Sequence, residues 1–174
     1  MLSKRLQLEV VYTRAAERVA ELEENVSLED YMRSIGARVY RDDEIDAPIS
    51  SSSNAPDAVV VVPCSLAMLA KIAHGIGEGL AARVALNALR MRRPLILVIR
   101  ETPISTIDAL NMLLVSLAGG VILPAAPAFY HKPSSVQDMV DFIVGKVLDV
   151  LGLEHGLYKR WEGVGTAAGS GSKD

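Results

Sequence analysis

Arg83, Asn87 and Arg90 recur at i, i+4 and i+7 in a segment of helical periodicity, so their side chains share one polar stripe. Most such stripes are solvated surface. The chemical alternative is that the two arginines and Lys146, on another helix, converge on a phosphoryl group, whose oxygens match a guanidinium fork. The tetrapeptide "RETP", from Arg100, sets a guanidinium beside a carboxylate at the end of an apolar run, either as a loop-fixing ion pair or in a catalytic role. Thr13 and Ser65 each open a helical stretch, where a hydroxyl, free backbone N–H groups and the positive end of the helix dipole suit a phosphate. Taken alone, each is simply an N-cap. Last comes a row of Phe129, Tyr130, His131 and Lys132 between prolines, in a chain with only two Phe and five Tyr.

Other chemistries find no support. His74, His131 and His155 lack metal-ligand spacing and one cysteine, Cys64, cannot build a thiolate site, so no metal is expected. Neither a GxSxG elbow nor a GxxxxGK[ST] loop is present, which speaks against a serine hydrolase and a P-loop NTPase. A net charge of -3 supplies no field to gather nucleic acid or anionic lipid. The single cysteine suits a reducing cytoplasm, and the N-terminus does not read as a secretory signal. Ala109 to Tyr130 carries no charge over a membrane-spanning length, but Gly119-Gly120, Pro124 and Pro127 divide it into a buried helix, a turn and a strand.

The elements that must position these residues alternate. Strands are expected at Leu6 to Tyr12, Ala37 to Tyr40, Ala58 to Pro63, Pro94 to Ile99 and "GVILP" before the second proline run. Helices are expected from Thr13, over Leu28 to Ile35, Ser65 to His74 and Gly79 to Met91, in "STIDALNMLLVSLA", and from Ser134 to Leu151. "AVVVVP" and "PLILVI" are unbroken β-branched runs, the pattern of parallel strands covered on both faces. The expected fold is a three-layer, doubly wound, mostly parallel α/β sheet in a single domain over 1–161, followed by a disordered Gly/Ser tail over 162–174. In such a sheet ligands sit beyond the carboxyl ends of the strands, which would bring Thr13, Ser65, Arg100, Glu101 and Tyr130 to one rim.

The motifs "ISSSSN", "VVVPCS", "LAKIAHGI", "RRPLILVIRETP", "GGVILPAAPAFYHKP" and "LYKRW" occur in the order, and with close to the spacing, of the UbiX-type flavin prenyltransferases. The chain resembles that family from about Leu6 to Trp161. The resemblance implies a flavodoxin-like subunit that binds FMN and attaches to it a dimethylallyl group from dimethylallyl phosphate. The prenylated FMN would serve partner decarboxylases of the UbiD type, in ubiquinone biosynthesis among other pathways. It further implies that Thr13, Ser65, Leu66, Ala67, Met68 and Arg100 contact the flavin. Arg83, Arg90, Tyr130 and Lys146 would hold the donor phosphate, with Trp161 the aromatic near it. Tyr130 would give its hydroxyl to the phosphate, and Glu101 would relay a proton as a ring closes on the flavin. Sites of this family lie between subunits, usually of a homo-dodecamer.

Three departures go with the resemblance. The family's first strand and its glycine-rich turn have no counterpart, which should leave the two neighbouring strands with unpaired ladders. A start placed too far downstream is the expected cause, ahead of a truly short chain. Met68 stands where a Thr is common, and Arg90 where a Lys is usual, which keeps the charge and changes its reach. The alternatives are an FMN-dependent decarboxylase of the same superfamily, and a truncated flavin-binding or oligomer-forming protein without activity.

Overall fold

A computed structural model describes residues 6–161. The chain divides into two compact units, one ending at Pro124 and the other beginning at Ala125. In the first, strands β1 (Glu9–Tyr12), β2 (Arg38–Arg41), β3 (Val59–Cys64), β4 (Leu95–Ile99) and β5 (Val121–Pro124) alternate with helices α1 (Arg14–Glu24), α2 (Leu28–Ser34), α3 (Leu66–Ala73), α4 (Leu80–Arg90) and α5 (Thr106–Leu117). The second holds α6 (Val136–Val150). The order matches the alternation read from the sequence. The polar stretch before β3, where neither strand nor helix is expected, contains two short 3-10 turns, Pro48–Ser50 and Ser52–Asn54. The expected tail over 162–174 lies outside the described residues.

All strand pairs are parallel, but they form two sheets. β1 pairs with β2, and β3, β4 and β5 pair in that order. Among the described residues β1 and β3 are not joined by ladder bonds, so each keeps one free edge. This is the break expected where the family's first strand has no counterpart. β4, flanked on both sides, is buried at all five positions, as its apolar run requires. β3, flanked on one side, corrects the expectation that its valine run is covered: Val59 to Val61 are half-buried and Val62 is exposed.

α4 bridges the interruption. Its Leu80 and Val84 join Tyr40, Ala47 and Ile49 in one buried cluster, against which Val11 of β1 and Val59 of β3 also pack. One turn further on, Ala85, Leu86 and Ala88 belong to the main core with Leu69, Leu95 and Leu97. A helix wedged between two sheets must be apolar around most of its circumference, and seven of its eleven residues are buried.

The start of α4 is fixed from outside the helix. Gly79 at the N-cap has no side chain to offer, and Asp42, just past β2, takes its place: its carbonyl accepts from the Leu80 amide at 2.8 Å and its Oδ1 from the Ala81 amide at 2.8 Å. Gly79 has φ +84, and a Cβ there would meet the Asp42 carboxylate at 2.3 Å. Gly36, with φ +85, would meet nothing within 4 Å. Gly36→Ala should therefore cost about 1 kcal/mol, the left-handed backbone term alone, and Gly79→Ala distinctly more, read as the difference in urea unfolding midpoints.

Candidate functional site

In the first unit the register Cys64↔Ile99↔Pro124 lines up the carboxyl ends of β3, β4 and β5. Ser65 and Arg100 follow directly and so share one rim. Ser65 caps α3, its Oγ accepting from the Met68 amide at 3.2 Å, and Thr13 caps α1 in the same way through the Ala16 amide at 3.1 Å. The capping role that each could have alone is thus present. It also uses the Met68 amide, so the orphan donors of the first turn of α3 are those of Leu66 and Ala67. Arg100 and Glu101 are exposed, and the Glu101 carboxylate accepts from the neighbouring Thr102 amide at 3.1 Å. They do not form the loop-fixing ion pair that adjacency allowed.

The stripe on α4 is only partly solvated surface: Arg90 is exposed, Arg83 half-buried and Asn87 buried. Asn87 is 4% exposed and donates to the Ser50 carbonyl at 2.8 Å, tying α4 to the serine-rich loop, while its Oδ1 accepts from Arg90 at 3.0 Å. Arg83, one turn earlier, has a buried Nε without a partner among the described residues. An unpaired buried guanidinium nitrogen is costly. That donor is what an anionic ligand would satisfy.

Beside these residues, at the carboxyl ends of β1 and β2, opens a cleft of about 840 Å³. Its lining includes Tyr12, Arg14, Arg41, Lys71, Asp42 and Glu78, and none of the site residues expected from the sequence. The signal was present in part, since Arg14 directly follows Thr13. Arg41 and Lys71 had no spacing to mark them. Cys64, beneath the rim, is fully buried and burial pushes its thiol up to about 12, which makes it no nucleophile.

In the second unit three expected residues meet. The Tyr130 ring lies edge-on to Phe142 at 6.1 Å and to Trp161 at 5.6 Å, and Lys146 Nζ sits over Phe142 at 5.2 Å and over Tyr158 at 4.9 Å. Phe142, Lys146 and Asp149 occupy one face of α6 at i, i+4 and i+7. The Tyr158 hydroxyl beside Lys146 holds its ammonium above the usual range. Asp149 accepts from Tyr158 and Arg160, and from His155 if its Nε2 carries the proton. Hydrogen bonding by Tyr158 first, then by His155 and Arg160 against the opposing effect of burial, lowers its carboxyl to about 2. His131 stacks on Phe142 at 5.0 Å with both ring nitrogens buried and unpartnered among the described residues. The roles of Phe142, Asp149, His155 and Tyr158 were missed because they depend on a return of the chain that no local pattern encodes.

Among the described residues no three His, Cys, Asp or Glu side chains are grouped to hold a metal ion, and no helix is long and apolar enough to cross a membrane.

A family model described as Flavoprotein matches residues 1–148. The flavin prenyltransferase UbiX of Saccharolobus solfataricus is 42% identical over 159 residues, covering 90% of this chain and 79% of that protein. A UbiX protein solved with FMN and dimethylallyl pyrophosphate superposes with a TM-score of 0.89 at 38% identity, over 94% of this chain and 87% of that one. A dodecameric FMN-dependent UbiX-like decarboxylase of Escherichia coli O157:H7 gives 0.88 at 38% identity, over 93% and 88%.

The buried thiol sets an alkaline limit. Unfolded, it ionises near 9; folded, only near 12, so the stability it protects is intact below the first value and drains as pH rises toward the second. Cys64→Ala should flatten the fall of the unfolding midpoint across that window, and the native wild-type thiol should resist Ellman's reagent until denaturant is added.

Proposed function

The chain belongs to the flavoprotein family, among its UbiX-type flavin prenyltransferases, and from that premise we propose that it transfers a dimethylallyl group from dimethylallyl phosphate to reduced FMN. The observation that carries the reading is identity of 42% sustained over 90% of the chain, in a sequence that holds both "RETP" and "AFYHKP". When bound, the reduced flavin supplies the nucleophile for the allylic carbon.

The residues fit that task. The flavin is assigned to Thr13, Ser65 to Met68 and Arg100, where two capped helix starts and a guanidinium present donors to a phosphorylated ligand. Met68 offers no hydroxyl and its amide is taken by Ser65, so in this turn the free backbone donors are those of Leu66 and Ala67. Arg83 and Arg90 on α4 are proposed as contacts to the donor phosphate, and Tyr130 and Lys146 are likewise proposed as contacts to it, each pair taken within its own unit. Phosphate monoester is a poor leaving group, and fixed positive charge is what lowers its barrier. Lys146, held charged by its neighbours, keeps that role across the physiological range. Trp161 and Phe129 give the isoprenoid an apolar wall. Glu101, whose carboxylate is exposed, is assigned the relay of the proton released as the ring closes.

Self-association is part of the reading, as is a cytoplasmic setting. Ile107, Leu110, Leu114 and Leu117 form an exposed stripe along α5 at i, i+3, i+7 and i+10. An apolar ridge of this kind on a helix marks a protein interface. We take a homo-dodecamer as the assembly and a UbiD-type decarboxylase as the consumer of the product. The decarboxylase alternative within the superfamily has no specific residue in its favour.

Incubated with reduced FMN and dimethylallyl phosphate, the protein should yield a flavin heavier by one prenyl unit in mass spectrometry, and flavin of unchanged mass would remove the reading. Tyr130→Phe should raise the KM for the donor more than the Kd for FMN, and Arg100→Ala the reverse; equal loss of flavin in both would undo the division of the site. Leu110→Asp with Leu117→Asp should lower the mass found by sedimentation equilibrium.

A further inference from the structure

After α6 the chain turns at Gly152, with φ +69, and residues 153–161 run on without helix or strand. A segment without backbone ladders is held by its side chains, and here they gather on one group. Asp149 Oδ1 accepts from Arg160 Nη2 at 2.6 Å and pairs with His155 Nε2 at 3.1 Å, while Oδ2 accepts from the Tyr158 hydroxyl at 2.5 Å and lies 3.9 Å from Lys146 Nζ. These partners stand six, nine and eleven residues further along the chain, beyond the reach of helix neighbours. The His155 side chain is 4% exposed, so its pairing is made away from water. Gly145, one turn before Asp149, leaves the room that this return needs: a Cβ there would meet the Tyr158 ring at 2.5 Å and His155 at 2.8 Å.

We propose that Asp149 is a positioning residue that latches residues 153–161 onto α6, so that Trp161 and Tyr158 are held against Tyr130 and Lys146 and the donor end of the site has an aromatic wall on that side. The proposal rests on the donor-site reading above. A carboxylate used only to end a helix would pair with neighbours on its own helix. This one takes three donors from a single returning segment, and that segment ends at the indole packed on Tyr130. Lys146 gains twice from the arrangement, through the Tyr158 ring beneath its ammonium and through the Asp149 charge nearby.

Trp161 is the single tryptophan of the chain, so its emission reports on the segment directly. In the full chain, Asp149→Asn should move Trp161 emission to longer wavelength, raise its quenching by acrylamide and speed proteolysis after Gly152. The KM for dimethylallyl phosphate should rise about tenfold, the worth of one charge-assisted hydrogen bond, with the Kd for FMN unchanged. Asp149→Glu should restore part of each. Tyr158→Phe, which removes a single hydroxyl, should move the same fluorescence readouts in the same direction and serves if Asp149→Asn fails to fold. Wild-type emission and quenching in the folded variants would overturn the latch whatever the activity. Altered Trp161 signals in a protein that never prenylates flavin would uphold the latch and refute the assigned reaction instead.

Discussion

The contact between α4 and the two sheets is the constraint on which the rest of the first unit depends. With β1 and β3 unpaired to each other, no ladder among the described residues carries the fold across that line. Burial of Leu80 and Val84 against Val11, Tyr40 and Val59 does so instead. Apolar contact is strong but not directional, whereas a ladder fixes register. The geometry is therefore supplied by the polar ties at each end of the helix: Asp42 at its first turn and Asn87 on the Ser50 carbonyl.

Those same ties set the chemistry. The arginines of α4 lie on the polar side of a helix whose other faces are committed to two cores, with Asn87 between them fixed to the Ser50 carbonyl, so the helix cannot turn them elsewhere without breaking a core. Arg83 is left with an unsatisfied buried nitrogen. In the second unit the arrangement is different in kind. There the positive group is cradled by rings, and a carboxylate that is ionised at any ordinary pH draws the surrounding donors inward. One unit offers guanidinium on a helix and the other ammonium among aromatic rings, two different ways of presenting a fixed positive charge.

Much of this was legible in the sequence. The β-branched run of β4 announced a strand buried on both faces, Thr13 and Ser65 marked helix starts that the structure places at those caps, and the helices expected from Ser105 and Ser134 begin at the caps Ser105 and Ser135. The i, i+4, i+7 spacing put Arg83, Asn87 and Arg90 together, though it could not tell a solvated stripe from one packed on a loop, because that depends on what lies opposite. The valines of β3 misled for a related reason: composition reports what a strand is suited to, and exposure depends on which neighbour is there. Asp149 was invisible because its partners are set by a return of the chain after Gly152 rather than by periodicity. The cleft beside Thr13 escaped because its lining mixes four basic side chains with five acidic ones, and a site of balanced charge leaves no bias to count.

The borrowed cap on α4 has a bearing on how the chain reaches this state. α1, α5 and α6 each close their first turn with a Thr or Ser of their own, a step that spans three residues. The first turn of α4 waits on Asp42, thirty-nine positions before the amide it receives, and Asp42 is brought there only once β2 has found β1. Closing so long a loop costs entropy before any contact repays it. The first turn of α4, unlike those of α1, α5 and α6, is thus completed by a contact made across the chain and not by a residue of the helix itself.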